Sequence, residues 1–491
     1  MTNHDERKPR LVLQRIAQRV MRERGLDPDF GPAALAELNA IQGPALKVGS
    51  ATRDLRSLLW CSIDNDDSRD LDQLSVGEDL PDGSVRLRVA VAEVEALVRK
   101  GTAIDEHARR NTTSVYTAGG IFPMLPEKLS TDLTSLGFAA ERVAIVIEMV
   151  FDPDGQMKTS DIYEALVNNR AKLAYNSVAA WLDGAGPMPA PIGAVPGLAE
   201  NIRLQHRVAQ QLRALRHRRG ALSLQTTEAR AVFFGDVLQD LKADESNVAK
   251  NLIEELMVAA NGVTARYLTA KNLPSIRRVV RTPVHWDRIV ELAASHGSEL
   301  PTEPDSKALE EFLIAAKAAD PGYFPDLSLA VIKLMGRGEY VVEFPGGDVA
   351  GHFGLAVKDY AHSTAPNRRY PDLLIQRLLK AALTGQPPPY ANDELVALAK
   401  RCTDQEAAAK KVERQLAKSA AAMLLQPRIG QMFDATVTGV TADGVWVRLC
   451  RPPAEGKLCN GGEGLAVGDR LRVKLISTDV ERGFIDFNAS R

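Results

Sequence analysis

Five aspartates (Asp64, Asp66, Asp67, Asp70 and Asp72) fall within nine positions of the stretch WCSIDNDDSRDLDQLSV, Trp60 to Val76. Carboxylates crowded in this way repel one another at neutral pH, and a divalent cation offsets that repulsion directly. In an extended segment, residues two apart project to the same side, so Asp70 and Asp72 converge while Leu71 faces the core. Asp64 ends the preceding apolar run (Leu58, Leu59, Trp60, Cys61, Ile63) and supplies a third oxygen donor across the loop. A calcium loop of the EF-hand kind does not fit: with Asp64 first, Arg69 takes the glycine position and Ser75 the final glutamate position. The same residues also suit a solvated, Asx-rich turn between two strands. Taken alone, the stretch leaves both readings open.

A second chemistry-bearing stretch, HSTAPNRRYPDLLIQRLLK, runs from His362 to Lys380. Pro366 forbids helix immediately before it, which places Asn367, Arg368 and Arg369 in a turn, with a helix starting near Tyr370 or Pro371. Backbone N–H groups at a helix start, with paired arginines beside them, suit a phosphate. An ordinary helix start with solvated arginines fits the pattern too.

The elements that must carry these residues are mixed. Val85 to Val98 reads as a buried strand running into a turn, and Glu141 to Phe151 as a second strand. Ala171 to Leu182 and Asn201 to Arg216 read as helices separated by a Pro/Gly loop, and Asn247 to Leu268 as a long, mostly buried helix. Asp372 to Thr384 and Glu394 to Leu424 are also helical in pattern, the latter with Lys410, Lys411 and Arg414. Ahead of all these, Leu13, Ile16 and Val20 recur at helical spacing, with Arg15, Arg19 and Arg22 on a neighbouring face and Gly25 as a stop. A shorter helix follows from Pro32, with Leu35, Leu38 and Ile41 as its apolar stripe. The pair reads either as a helix-turn-helix touching nucleic acid, which the arginine content of Arg7 to Arg24 favours, or as a helical cap on the next domain. From about Gly430, short alternating segments around Asp443-Gly444 predict a small closed barrel of the OB type.

At 491 residues the chain is too long for one core, so several domains are expected. Hydrophobic residues at 45% and charged residues at 25% are those of an ordinary globular protein. No apolar run approaches the roughly 20 residues that span a bilayer, and MTNHDERKPR lacks the apolar stretch of a secretory signal. The four cysteines form no CxxC, which argues against a disulfide framework and a zinc ribbon, so the cytoplasm is the expected compartment. A net charge of −2 predicts no polyanion partner by itself, although a basic patch and an acidic site cancel in such a sum.

SIDNDDSRDLDQ followed by HSTAPNRRYPDLLIQR resembles the catalytic domain of the ribonuclease II/ribonuclease R (RNB) exoribonuclease family. Ala90 to Tyr116, Phe122 to Leu136, Arg218 to Leu222 and Ile253 to Asn261 resemble further family blocks, in the right order. Gly430 to Arg491 is similar to the OB-type RNA-binding domain that ends these enzymes. The resemblance implies an α+β architecture: an N-terminal helical segment over 1–48, a mixed α/β RNB catalytic domain over 49–428, and an OB-fold barrel over 429–491. It implies magnesium-dependent, processive 3′-to-5′ hydrolysis of single-stranded RNA to 5′-mononucleotides, with two Mg2+ ions expected and Mn2+ as a substitute. No membrane and no obligate protein partner are expected.

By position, Asp64, Asp70 and Asp72 match the family's acidic site, Asp72 being the aspartate most critical for cleavage. Arg368 matches the arginine at the scissile phosphate, with Arg369 beside it, and Tyr116 the tyrosine that packs on the 3′-terminal nucleotide. Glu254 or Glu255 matches a glutamate touching the terminal ribose, and Asn261 shares a helix face with Glu254. In the barrel, Trp446 is the candidate for stacking on RNA, with a core role as the alternative, and Lys457, Arg470, Arg472 and Lys474 are candidate phosphate contacts. Three features depart from the family. Gln73 stands where a fourth aspartate is usual; it can ligate magnesium through its carbonyl but carries no charge. Thr364-Ala365-Pro366-Asn367-Arg368 replaces Thr-Ser-Pro-Ile-Arg, and two N-terminal cold-shock barrels have no counterpart ahead of Asp54. Gln73 supports an alternative reading, a non-catalytic RNA-binding protein on a degenerate nuclease domain. A metal-dependent phosphodiesterase acting on DNA is a further competitor.

Overall fold

The apolar run ahead of the aspartates and the alternating segments after it assemble into one sheet in the computed structural model, which describes residues 8–46, 49, 51–225, 228–244, 246–348 and 350–490. Arg7 of the arginine-rich stretch, residues 47 and 48 at the expected domain boundary, and Arg491 lie outside the described residues. Two helices come first, α1 (Pro9–Glu23) and α2 (Pro32–Ala40). The strands follow as β1 (Arg53–Asp54), β2 (Cys61–Asp64), β3 (Gln73–Asp79) and β4 (Val85–Ala92). Helix α3 (Ala103–Asn111) and the hairpin β5 (Val115–Thr117)/β6 (Gly120–Phe122) precede β7 (Glu141–Phe151), β8 (Met157–Asn168) and β9 (Ala171–Ala174). The seven-stranded sheet runs β1-β8-β7-β4-β3-β2-β9, antiparallel except for its two edge pairs, β1 with β8 and β2 with β9.

The first four residues of the segment expected to be helical over Ala171 to Leu182 are therefore strand. Ala171 and Leu173 alternate inward beside β2, and helix α4 (Tyr175–Leu182) starts only afterwards. The short α5 (Ala190–Gly193) leads into α6 (Leu198–Arg218), and the hairpin β10 (Glu228–Phe234)/β11 (Val237–Asp244) leads into α7 (Val248–Ala270). Helix α7 is buried along most of its length because it packs on β2, β4, β7 and β8 as well as on α4 and α6. Strands β12 (Ser275–Val279) and β13 (Glu339–Glu343) enclose a small helical unit of α8 (Trp286–Ser295), α9 (Ser306–Ala319) and α10 (Phe324–Met335). That unit has its own apolar core around Trp286, Phe312 and Phe324.

Helix α11 (Tyr370–Thr384) is almost wholly buried, and α12 (Asn392–Leu425) is the longest element. Five strands then close the barrel: β14 (Met432–Thr441), β15 (Gly444–Leu449), β16 (Glu455–Asn460), β17 (Arg470–Asp479) and β18 (Phe484–Ala489), in the order β14-β15-β16-β18-β17. The barrel core continues into Ala421, Ala422 and Leu425 of α12 and Leu241 of β11.

The N-terminal helices have different main partners. Helix α1 lays Leu13, Ile16, Val20 and Met21 against α12 and the β5/β6 and β10/β11 hairpins, whereas α2 packs on α3. Its arginines bind the protein's own carboxylates: Arg15 and Arg19 pair with Glu481 in the β17–β18 turn, and Arg22 with Asp29. These contacts are those of a helical cap, the second of the two arrangements expected. Ala34 is the buried residue of α2, and Leu35 of the expected stripe is exposed.

Candidate active site

Asp64 leaves β2 next to β9, and its Oδ1 accepts from the Asn65 N–H at 2.7 Å and Ser68 Oγ at 3.0 Å. The following turn exposes Asp66 and Asp67, as the Asx-turn reading anticipates, and Asp67 pairs with Arg230 of β10. The chain then runs back towards β3. Leu71 is buried, and its backbone is pinned on both sides: Leu71 N–H donates to Ser135 Oγ at 3.0 Å, and Leu136 N–H donates to the Leu71 carbonyl at 2.9 Å. Asp72 follows at the mouth of β3, 2% exposed, with its carbonyl accepting from the Ala92 N–H at the end of β4.

The arginine loop meets Asp72 from the opposite side of the sequence. Asn367 N–H donates to Asp72 Oδ1 at 2.9 Å, and Arg368 Nε donates to Oδ2 at 3.1 Å. The loop is fixed at each step. Asn261 Oδ1 accepts from both the N–H and the Oγ of Ser363, Asp372 Oδ1 accepts from the Ala365 N–H, and Ser114 N–H donates to the Arg368 carbonyl. Helix α11 is anchored below it by the buried Arg377–Asp105 pair, which the Tyr370 hydroxyl joins.

Burial dominates the electrostatics. It pushes the Asp72 carboxyl up to about 7 despite the neighbouring Arg368, and the charge on Asp70 adds to the rise. Asp70 is raised too, chiefly by burial, with Arg368 opposing. Burial works to lower the Arg368 guanidinium, but Asp72, Tyr116, Asp64 and Asp70 outweigh it and hold it above its ordinary value.

The structure brings Asp64, Asp70, Asp72, Arg368 and Tyr116 into one neighbourhood. Tyr116, on β5, donates its hydroxyl to Asp70 Oδ2 at 3.2 Å, and its backbone N–H donates to Glu413 of α12. Gln73 opens β3 opposite Val91. Among the described residues, no three His, Cys, Asp or Glu side chains are gathered closely enough to hold an ion as they stand. Each carboxylate is bonded within the protein: Asp64 by Ser68, Asp70 by Tyr116, and Asp72 by Asn367 and Arg368.

Arg369, expected beside Arg368 as an RNA contact, gives its guanidinium to the buried Asp372 at 2.7 Å. Of the two glutamates, Glu255 is buried against Arg216, whereas Glu254 is half exposed and shares that arginine at 3.2 Å. Trp446 lies half-buried on the outer side of β15, where Val445, Val447 and Leu449 point inward. Phe433 and Phe487 fill the barrel core, and Phe484 is exposed. Sequence reasoning missed Tyr175, the first residue of α4, whose hydroxyl feels both Asp64 and Arg368 and is raised mainly by burial. The misreading of β9 as helix hid it, since only the β2–β9 pairing carries residue 175 to the site.

Comparison with known proteins follows the same lines. The family model of the RNB domain matches residues 52–385, and that of the RNase II-type exonuclease C-terminal S1 domain matches residues 431–490. Ribonuclease R of Aquifex aeolicus (strain VF5) is 29% identical over 502 residues, covering 95% of this chain and 69% of that protein. Ribonuclease R of Escherichia coli (strain K12) is 29% identical over 473 residues, covering 89% and 57%. Against such curated relatives the chain spans between 56% and 69% of their length. Among solved structures, Mycoplasma genitalium RNase R in complex with ribose methylated single-stranded RNA superposes with a TM-score of 0.87 at 23% identity, covering 99% of this chain and 78% of that one. Yeast Ssd1, described as a pseudonuclease, gives 0.71 at 17% identity, with 94% and 57% covered.

Proposed function

The chain belongs to the RNB family, and on that premise we propose that it is a magnesium-dependent 3′-to-5′ exoribonuclease that hydrolyses single-stranded RNA processively to 5′-mononucleotides. The observation that carries the reading is the meeting at Asp72: a buried carboxylate, beside Asp70 and held by Asn367 N–H and Arg368 Nε, with Tyr116 within hydrogen-bond reach of Asp70.

Three carboxylates and a carboxamide carbonyl in one neighbourhood are the oxygen donors that a divalent cation takes, although among the described residues no three of these carboxylates converge on one point as they stand. Burial raises both Asp72, to about 7, and Asp70, so ionising the two together is costly there without a further cation beside Arg368. Asp64, Asp70 and Asp72, with the Gln73 carbonyl, would hold magnesium, which supplies activation of water and stabilisation of the leaving 3′-oxygen. Arg368 then has a task of its own. Its guanidinium, which bonds Asp72 through Nε, would meet the non-bridging phosphoryl oxygens and stabilise charge developing there. Tyr116 presents a ring to the 3′-terminal base without regard to its identity. Glu254 is the glutamate of the pair that remains accessible to a ribose, and Trp446, with Lys457 across the β15–β16 pair, offers a stacking surface with a cation on the barrel. Arg369, through Asp372, supports the loop.

The test is a 5′-labelled single-stranded RNA, and the matching DNA, incubated with magnesium with and without chelator. A chelator-sensitive ladder on RNA alone is the expected result. Binding without cleavage would favour the scaffold reading that Gln73 suggests, and cleavage of DNA the phosphodiesterase.

A further inference from the structure

Two fully buried polar side chains beside the site have no part in the chemistry above. Asn367 is 0% exposed: its backbone N–H binds Asp72, while its side-chain Oδ1 accepts from Thr134 Oγ1 at 2.5 Å. Thr134 is 3% exposed and caps a single π-helical turn, Leu129–Leu133, sharing its hydroxyl with the Leu129 carbonyl at 2.9 Å. The next residue, Ser135, holds the other half of the site. Its Oγ accepts from the Leu71 N–H and donates to the Arg69 carbonyl, and the Leu136 N–H then binds the Leu71 carbonyl. Three consecutive residues thus grip the segment bearing Asp70 and Asp72 and, through Asn367, the loop bearing Arg368. The Thr134 hydroxyl satisfies Asn367 Oδ1, whereas Asn367 Nδ2 is buried with no hydrogen-bond partner among the described residues, so the Oδ1 bond is the connection that offsets the cost of burying this amide.

We propose that Thr134-Ser135 is a staple setting the register between the aspartate segment and the arginine loop, with Thr134 and Asn367 as positioning residues for hydrolysis. The inference rests on the exoribonuclease reading. The direct links between the two loops, Asn367 N–H and Arg368 Nε to Asp72, use a carboxylate that a cation would claim and a guanidinium that a substrate phosphate would claim. The staple touches neither, so it keeps the loops aligned when those links loosen.

The experiment compares wild type with Thr134→Val, Thr134→Ser, Asn367→Leu and the Thr134→Val/Asn367→Leu double variant on a 5′-labelled oligoadenylate. Single-turnover rates are measured with magnesium, and affinity by fluorescence anisotropy in chelator. Thr134→Val and Asn367→Leu each lose about 30- to 100-fold in rate, the scale of a sub-ångström to 1 Å misplacement, with affinity within about twofold. Thr134→Ser keeps the rate within about threefold, and the double variant loses no more than about the worse single one, since the pair acts as a unit. An unchanged rate in Thr134→Val, additive losses, or parallel loss of rate and affinity overturns the staple. If Thr134→Val does not melt cooperatively, Asn367→Leu and Thr134→Ser are judged by the same criteria. A wild type that binds without cleaving overturns the activity reading and the staple with it, whereas an active wild type matched by its variants overturns the staple alone.

Discussion

At the scale of single residues, Asp72 and Tyr116 separate chemistry from grip. Asp72→Asn keeps the shape and one acceptor for the Asn367 N–H but removes the charge that a cation requires. The single-turnover rate should fall by at least about 10²–10³-fold while RNA affinity in chelator is preserved, because the lost carboxylate would only have repelled phosphate. Equal loss of both would remove Asp72 from the chemistry. Tyr116→Ala removes a stacking surface worth about 1–3 kcal/mol per base and frees Asp70 of its hydroxyl partner, so the limit product should change length with the per-step rate moved less. An identical product ladder would count against that role. The Asp72–Arg368 meeting was legible because both partners sit in dense, unusual motifs. Asn367 was not: an asparagine in a Pro-containing turn looks local, and only tertiary structure reveals that its side chain reaches Thr134. The bond of Arg369 to Asp372 was equally hidden, since a pair of adjacent arginines does not say that one of them is bound within the protein.

At the scale of elements, helical periodicity marks the buried face of α1, while its charge says little about what the arginines bind. Leu13, Ile16, Val20 and Met21 are fully buried, and such residues cost about 2–5 kcal/mol each when cut to alanine. Its arginine pairs are exposed and worth about 0–1 kcal/mol apiece. The helix is therefore held by its apolar face. It also presses on the hairpin carrying Tyr116: a Cβ on Gly119 would lie 2.6–2.9 Å from the α1 backbone at Leu13 and Gln14. Helix α3 carries a pH-dependent contact. His107 packs against Phe30, its ring centroid 4.1 Å away, and its Nε2 faces the Asn111 amide, whose Nδ2 donates to it. Burial lowers its pKa from 6.5 to about 4, with Asp27 opposing and Arg110 adding. Between those values the unfolded chain binds a proton that the folded one does not, so stability falls as pH drops through about 6.5 to 4 and levels off below. The loss is on the order of 3 kcal/mol. Denaturant melts across that range should show it, and His107→Gln should flatten the slope by about one proton; an unchanged slope would assign the acid sensitivity elsewhere.

At the scale of the molecule, the question is how firmly the barrel is mounted, since an RNA-binding domain that swings freely cannot feed one fixed site. Besides the exposed pairs of Arg15 and Arg19 with Glu481, three attachments bear on it. Its apolar core merges with the end of α12, the β17–β18 turn closes on α12 so tightly that a Cβ on Gly483 would lie 2.8 Å from that of Lys418, and β15 binds the helical unit through Arg448. The last is bidentate: Arg448 Nη2 donates to Asp326 Oδ2 at 2.8 Å, and Nη1 lies 2.6 Å from Oδ1. It spans a cleft of about 1340 Å3 whose lining mixes Arg428, Arg451 and Arg470 with Asp320, Asp434 and Asp469. Both signs of charge line it, so it does not present the single-sign surface that would attract a polyanion. Asp326→Asn leaves Arg448 with one neutral acceptor in a largely buried place, a cost of about 1–3 kcal/mol confined to this attachment. The barrel should stay folded, because its own core is untouched, but hydrogen exchange along β15 should quicken. Long single-stranded RNA should bind several-fold more weakly, whereas an oligomer too short to leave the catalytic cleft should be cleaved at the wild-type rate. Equal effects on long and short substrates would mean that the ion pair supports the active site itself, and no effect on either would mean that α12 alone mounts the barrel.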